Sequence, residues 1–179
     1  MEDEIDRFEA HWPIGSRERL ALAILLYTGL RRGDAVQLGR QHIRDGVISM
    51  RTEKTGTPVT IPLLPELAEI IAISKTSDLA FIATVTGTPM TKESFGNWFR
   101  NACKAAGVPG SAHGLRKAGA TRAANNGATV AQLEAIFGWS GGGMASLYTR
   151  QADRTRLAKE AMGIEGENRE HLFPYRKAR

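Results

Sequence analysis

His113-Gly114-Leu115-Arg116 opens the stretch that decides the reading; a helix-like run to Gly127 follows, then Phe137-Gly138-Trp139-Ser140 and, nine residues past Trp139, Tyr148-Thr149-Arg150. A histidine and an arginine three positions apart share one face at the start of a helix. That pairs a proton-transfer group with a fixed cation. Tyr148 comes after the triple glycine Gly141-Gly142-Gly143, which is not how a tyrosine chosen only for core packing is usually presented. A phenol beside cations can act as a nucleophile.

Outward from this stretch the chain reads as short helices around a small sheet. Residues 2 to 11 form an acidic helix ending before Pro13. Ser16 caps the next helix, with Glu18 in its first turn and Leu20, Ile24 and Tyr27 among its apolar positions; Gly29 ends it. Arg31 therefore lies just past a buried helix, and a second short helix follows over Asp34 to Leu38. Val47, Ile48 and Met50, then Val59, Ile61 and Leu63, bracket Thr55-Gly56-Thr57 as a β-hairpin, with Lys54 at its tip or adjoining strand end. Pro65 opens a helix through Ile73, and residues 79 to 84 form a short strand or extended segment. Thr91 starts a helix to about Ala106 whose face carries Phe95, Trp98, Phe99 and Cys103.

Ser111 or His113 begins the helix holding Arg116, which closes at Asn125-Asn126-Gly127. Thr129 caps a helix with Val130, Leu133, Ile136 and Phe137 at helical spacing. Past the flexible glycines come a short helix carrying Tyr148, another from about Asp153 to Met162, and a polar, charged tail from Gly163. The expected fold class is mainly α with a small antiparallel β-sheet, α+β.

Composition narrows the function classes. A chain of 179 residues with 42% apolar residues suits one well-packed domain. No apolar run reaches the roughly 18 residues needed to cross a bilayer. Met1 is followed by an acidic segment, not by a signal peptide. The expectation is a soluble, cytoplasmic protein without a membrane partner. Cys103 is the only cysteine, which rules out an internal disulfide and a cysteine-based zinc site. His11, His42, His113 and His171 are scattered and the acidic residues form no convincing cluster, so no metal site is expected. The net charge of +5 is modest. Because the first ten residues carry Glu2, Asp3, Glu4, Asp6 and Glu9 against Arg7, the remainder is more basic than the total suggests. A basic body suits a polyphosphate partner.

Five short runs stand in a fixed order: Thr28-Gly29-Leu30-Arg31, Lys54-Thr55-Gly56, His113-Gly114-Leu115-Arg116, Gly138-Trp139 and Tyr148. This order resembles the tyrosine recombinases, the phage integrase family, over roughly residues 20 to 160. Each run alone would be weak; together they are a strong signal. The resemblance implies a tyrosine recombinase catalytic-domain-like fold and a site-specific recombinase or integrase. Such an enzyme cuts and rejoins double-stranded DNA through a 3′-phosphotyrosyl intermediate, with no cofactor and no ATP.

The chemistry assigns the parts. Attack on a phosphodiester puts negative charge on the phosphate oxygens and requires a proton on the departing sugar oxygen. Arg31 and Arg116 are the natural phosphate clamps, because guanidinium offers a planar fork of donors and stays charged. The family places its arginine directly after Thr-Gly-Leu, favouring Arg31 over Arg32. Asp34 stands where the family often has an acidic residue; it orients the guanidinium or caps a helix. Lys54 resembles the family's hairpin lysine, which the resemblance makes the general acid for the 5′ oxygen. His113 accepts the phenolic proton or donates to the phosphate. Trp139 replaces the histidine commonest after this glycine, and its indole N–H donates one hydrogen bond to phosphate without shuttling a proton. Tyr148 is the nucleophile; Tyr27 lies on an apolar helix and Tyr175 in the tail.

By the same resemblance, residues 1–162 are the catalytic domain and residues 163–179 a tail suited to docking on a neighbouring protomer. A homotetramer on DNA is implied. The N-terminal core-binding domain that family members carry upstream is absent, which predicts weaker and less specific DNA binding. Two other readings fit the residues: a type IB topoisomerase-like activity, and a catalytically idle DNA-binding module or defective integrase remnant.

Overall fold

The computed structural model describes residues 2–162. Two helices come first, α1 (Glu2–His11) and α2 (Arg17–Thr28), then the short α3 (Arg32–Ala35) and a 3-10 turn (Arg40–His42). A three-stranded antiparallel sheet follows in sequence order, β1 (Ile43–Arg44), β2 (Val47–Arg51) and β3 (Pro58–Pro62). Five helices complete it: α4 (Pro65–Ile73), α5 (Lys92–Ala105), α6 (Ala112–Asn125), α7 (Val130–Phe137) and α8 (Gly143–Ala161). The mainly helical fold with one small sheet is the class expected from the sequence. The tail from Gly163, including Tyr175, lies outside the described residues.

Helix α2 is the centre. Leu20 through Leu26 and Thr28 are all buried, the signature of a helix covered on every side. The Ser16 hydroxyl accepts the Arg19 N–H at 3.2 Å, satisfying a donor of the first turn. Gly29 closes the helix in the left-handed region, φ 61°, with its N–H on the Leu25 carbonyl. Helix α6 crosses α2 at Gly119, where a side-chain carbon would lie 2.8 Å from the Leu26 carbonyl oxygen. Phe8 of α1 and Phe99 of α5 meet at 5.6 Å between ring centroids, in the same core cluster as α2.

The sheet supplies a second wall. Ile48 pairs with Ile61 and Met50 with Val59, and Ile48, Val59 and Ile61 are buried, which is the alternation of a one-sided sheet. Strand β1 was not anticipated. It joins β2 through Asp45-Gly46, both with positive φ, the turn a two-residue hairpin requires. Residues 79 to 84 form no strand: the chain bends at Leu79, Phe81 and Ile82, with the Phe81 N–H on the Leu38 carbonyl and one isolated bridge from Ala83 to Pro89.

Two expectations need correction. The helix placed over Asp34 to Leu38 spans Arg32–Ala35, because Arg31 is its extended first cap (φ −68°, ψ 156°). The two helices expected after the triple glycine are one, Gly143–Ala161; no proline or glycine interrupts residues 144 to 161. The glycines are a fastened turn, since the Gly142 N–H donates to Glu134 Oε1 at 2.7 Å. A smaller core of Ala120, Ala124, Leu133, Phe137 and Ala145 lies beneath this turn, with Trp139 and Tyr148 packed against it.

Gly29 carries a double constraint: its φ is 61° and a side-chain carbon there would fall 2.2 Å from the Phe137 ring. Gly29→Ala is expected to cost roughly 2–4 kcal/mol, combining left-handed strain with overpacking. Gly46→Ala, at φ 74° with open space around it, should cost only about 1–2 kcal/mol. Urea unfolding of both variants checks this; equal losses would contradict it.

Candidate active site

Four chain segments converge on one face. The end of α2 delivers Gly29-Leu30-Arg31. The start of α6, capped by the Ser111 hydroxyl accepting the Gly114 N–H, presents an exposed His113 and, one turn on, a buried Arg116. Helix α7 ends at Gly138 in the left-handed region, which turns the chain toward Trp139. A side-chain carbon at Gly138 would lie 2.9 Å from Val59, so this corner packs directly on the hairpin base. Tyr148 sits half-buried in the second turn of α8.

Arg116 ties these segments together. It is only 6% exposed. Nη1 donates to the Gly29 carbonyl and Nη2 to the Phe137 carbonyl at 2.6 Å, so one cation bridges the ends of α2 and α7, where helix dipoles favour positive charge. Burial, then the neighbouring Arg31, push its pKa down to about 10, against smaller opposing effects of Asp34 and Tyr148. It is still charged at neutral pH. A folded-state value below the ordinary one means that the fold bears this charge at a cost, which is relieved only as pH rises through about 10. Arg31 contributes a second guanidinium, whose Nη1 is buried without a hydrogen-bond partner. Two neighbouring cations, one with an idle buried donor, suit an anion.

The aromatic residues form a stack. Phe137 and Trp139 lie 4.8 Å apart at 19°, and Trp139 and Tyr148 lie 5.5 Å apart at 11°. The Arg116 guanidinium is 5.2 Å from the Phe137 ring centroid and 5.5 Å from that of Trp139, within the reach of cation–π attraction. Trp139 thus packs between the tyrosine and the arginine. Tyr27, by contrast, has its pKa raised by burial and by Glu9, which makes it a poorer nucleophile.

Two clefts adjoin this centre. Arg31, Arg32, Arg100, His113 and Arg116 line the first. Arg31, Arg32, Asp34, Glu53, Lys54 and Lys92 line the second, which does not include His113, Arg116 or Tyr148. Lys54, fully on the surface of the turn between β2 and β3, therefore meets the other groups through Arg31. Arg32 is exposed and leans over Gly96, where an added carbon would come within 2.4 Å of its Nη1; Arg31 is the arginine next to Arg116. Asp34 is 1% exposed and is not a helix cap. Its Oδ1 accepts the Glu53 N–H at 2.7 Å, fastening α3 to the hairpin turn, while Oδ2 is buried without a partner.

The sequence reading missed Phe137 as the floor of the stack, Arg100 in the first cleft, and Glu53 with Lys92 in the second. Glu53 had a signal, an acid immediately before the turn lysine. Lys92 had none, being 39 residues away. Arg116→Lys keeps the charge but not the fork that serves two carbonyls on separate segments. It is expected to lower stability by about 1–3 kcal/mol in urea unfolding; an unchanged midpoint would contradict the bridging role.

The comparisons with known proteins bear on the family and the fold. The Integrase of Mycobacterium phage L5 is 29% identical over 174 residues, covering 80% of this chain and 46% of that protein. The crystal structure of the XerA recombinase matches with a TM-score of 0.70 at 20% identity, over 89% of this chain and 62% of that one. A lambda integrase dimer bound to a COC′ core site matches at 0.67 and 24% identity, over 82% of this chain and 57% of that one. This chain spans about half the length of the phage integrases it matches. The pattern of the phage integrase family extends over residues 2–155, and the chain belongs to that family.

Proposed function

We propose that this chain is the strand-cutting and rejoining part of a site-specific DNA recombinase, and that Tyr148 is its nucleophile. The observation that carries the reading is the sequence of neighbours Arg31, Arg116, Trp139 and Tyr148: a buried, unpartnered guanidinium donor, a charged arginine beside it, and a phenol stacked on the tryptophan that lies against that second arginine. Arg31 and Arg116 hold the scissile phosphate and stabilise the charge that develops on its oxygens. Trp139 keeps the phenol in place and offers its indole N–H to the phosphate.

In the step itself, the Tyr148 oxygen attacks phosphorus and the bond to the 5′ oxygen breaks. The phenolic proton passes to His113, and Lys54 gives a proton to the departing oxygen. A 3′-phosphotyrosyl link and a free 5′ hydroxyl result. Attack by a 5′ hydroxyl on that link restores the phosphodiester, so the bond energy is conserved and no ATP is consumed. Asp34 supports the site by linking the segment after Arg31 to the Lys54 turn. Double-stranded DNA is the partner, consistent with the net charge of +5 and with the DNA-bound lambda integrase. A homotetramer on DNA, a catalytic domain over residues 1–162 and a docking role for residues 163–179 belong to the same proposal.

Nicked duplexes carrying the junctions of the element that encodes the chain provide the test. The native protein is expected to leave a covalent protein–DNA band on a denaturing gel, and Tyr148→Phe to bind the duplex without leaving one. A band that persists in Tyr148→Phe would exclude Tyr148. Duplex binding by the native protein with no band would favour an idle DNA-binding module.

A further inference from the structure

Lys54 sits in a turn with strong internal bonding. The Thr52 N–H donates to the Thr57 carbonyl at 3.0 Å and the Gly56 N–H to the Thr52 carbonyl at 2.8 Å. The Thr52 and Thr55 hydroxyls are 2.8 Å apart, and those of Thr55 and Thr57 are 2.9 Å apart. This bonding sets the shape of the turn, not its position over the cleft. A hairpin tip can swing as a unit about its strand ends.

Position is set one residue before the lysine. The Glu53 N–H is held by Asp34, and the Glu53 carboxylate accepts Lys92 Nζ at 2.7 Å. Lys92 is the first residue of α5. The other carboxylate oxygen lies against Gly33: a side-chain carbon there would be 2.1 Å from Glu53 Oε2. Glu53 is thus bonded to Asp34 of α3 and Lys92 of α5 and lies against Gly33 of α3. The hydrogen bond and charge of Glu53 raise the Lys92 pKa, so Lys92 keeps its charge at neutral pH. Both partners are exposed, and an exposed ion pair adds little to global stability. Its effect falls on where the turn sits.

We infer that Glu53 is a positioning residue that holds Lys54 over the phosphate cleft by docking the turn on Lys92 and on the bare backbone of Gly33. The inference rests on the reading of Lys54 as proton donor to the 5′ oxygen. A sub-ångström to ångström displacement of such a donor weakens proton transfer without affecting phosphate binding by Arg31 and Arg116. Gly33 provides an independent handle, because Gly33→Ala pushes the carboxylate away while leaving both charges in place.

Nicked duplexes in which sulfur replaces the bridging 5′ oxygen of the scissile phosphate separate the possibilities. A thiolate leaves without a proton, so loss of the proton donor has no consequence on sulfur. With the full chain, Lys54→Ala is expected to form adduct roughly 100-fold or more slowly on oxygen and near the native rate on sulfur. Glu53→Gln and Gly33→Ala are expected to lose roughly 10- to 100-fold on oxygen and to recover on sulfur, with native duplex affinity. The exchanged pair Glu53→Lys with Lys92→Glu should regain part of the oxygen rate. Native oxygen rates in Glu53→Gln and Gly33→Ala, or equal losses on both substrates, would overturn the inference while Lys54→Ala still recovers on sulfur. Failure of Lys54→Ala to recover would overturn the proton-donor reading itself, and the inference with it.

Discussion

The Arg116 guanidinium, buried between the carbonyls of Gly29 and Phe137, is the interaction on which the rest depends. It joins the ends of two helices, α2 and α7, each closed by a left-handed glycine. Around it the backbones must come very close, and they do so where side chains are missing. Gly29 faces the Phe137 ring, Gly119 faces the Leu26 carbonyl, and Gly138 faces Val59. A core built only for stability would not place a cation here, because desolvation makes the charge costly and its removal leaves two carbonyls without donors. The cost is understandable if the charge is required at that place for an anion.

The two sides of the cleft differ in burial. On one side Arg31, Arg116 and the Phe137–Trp139–Tyr148 stack rest on the packed ends of α2, α6 and α7. Arg116 among them is buried and hydrogen-bonded to two backbone carbonyls. On the other side Lys54 stands on an exposed hairpin turn, fastened through Asp34 and through the Glu53–Lys92 pair. Asp34 reaches both sides: it follows Arg31 by one helical turn and accepts a hydrogen bond from the Lys54 turn. A carboxylate 1% exposed therefore links the segment that carries Arg31 to the turn that carries Lys54.

Much of this was legible in the sequence because it is local. Ser16, Thr91, Ser111 and Thr129 each accept a first-turn N–H of the helix they precede, and such caps are visible as residue types at fixed offsets. The order of Arg31, His113, Arg116, Trp139 and Tyr148 announced a site because five chemistry-bearing residues recurred in a family's order. What stayed hidden is non-local. Nothing near Glu53 in sequence points to Lys92, and nothing near Phe137 shows that its carbonyl would receive Arg116. Asp34 looked as much like a helix cap as a partner for the Arg31 guanidinium, and its bond to the Glu53 N–H, 19 residues on, had no local signal. The continuity of α8 was missed because Asp153 is a residue type that often starts a helix, although no glycine or proline breaks residues 144 to 161.

Mass spectrometry of the trapped protein–DNA adduct addresses the central claim most directly. After nuclease and trypsin digestion, a residual phosphonucleotide should lie on Tyr148, within the tryptic peptide from Ala123 to Arg150. Attachment to Tyr27, in the peptide from Leu20 to Arg31, or to a serine or threonine would contradict the account, because the arginines and the aromatic stack would then be serving a different nucleophile.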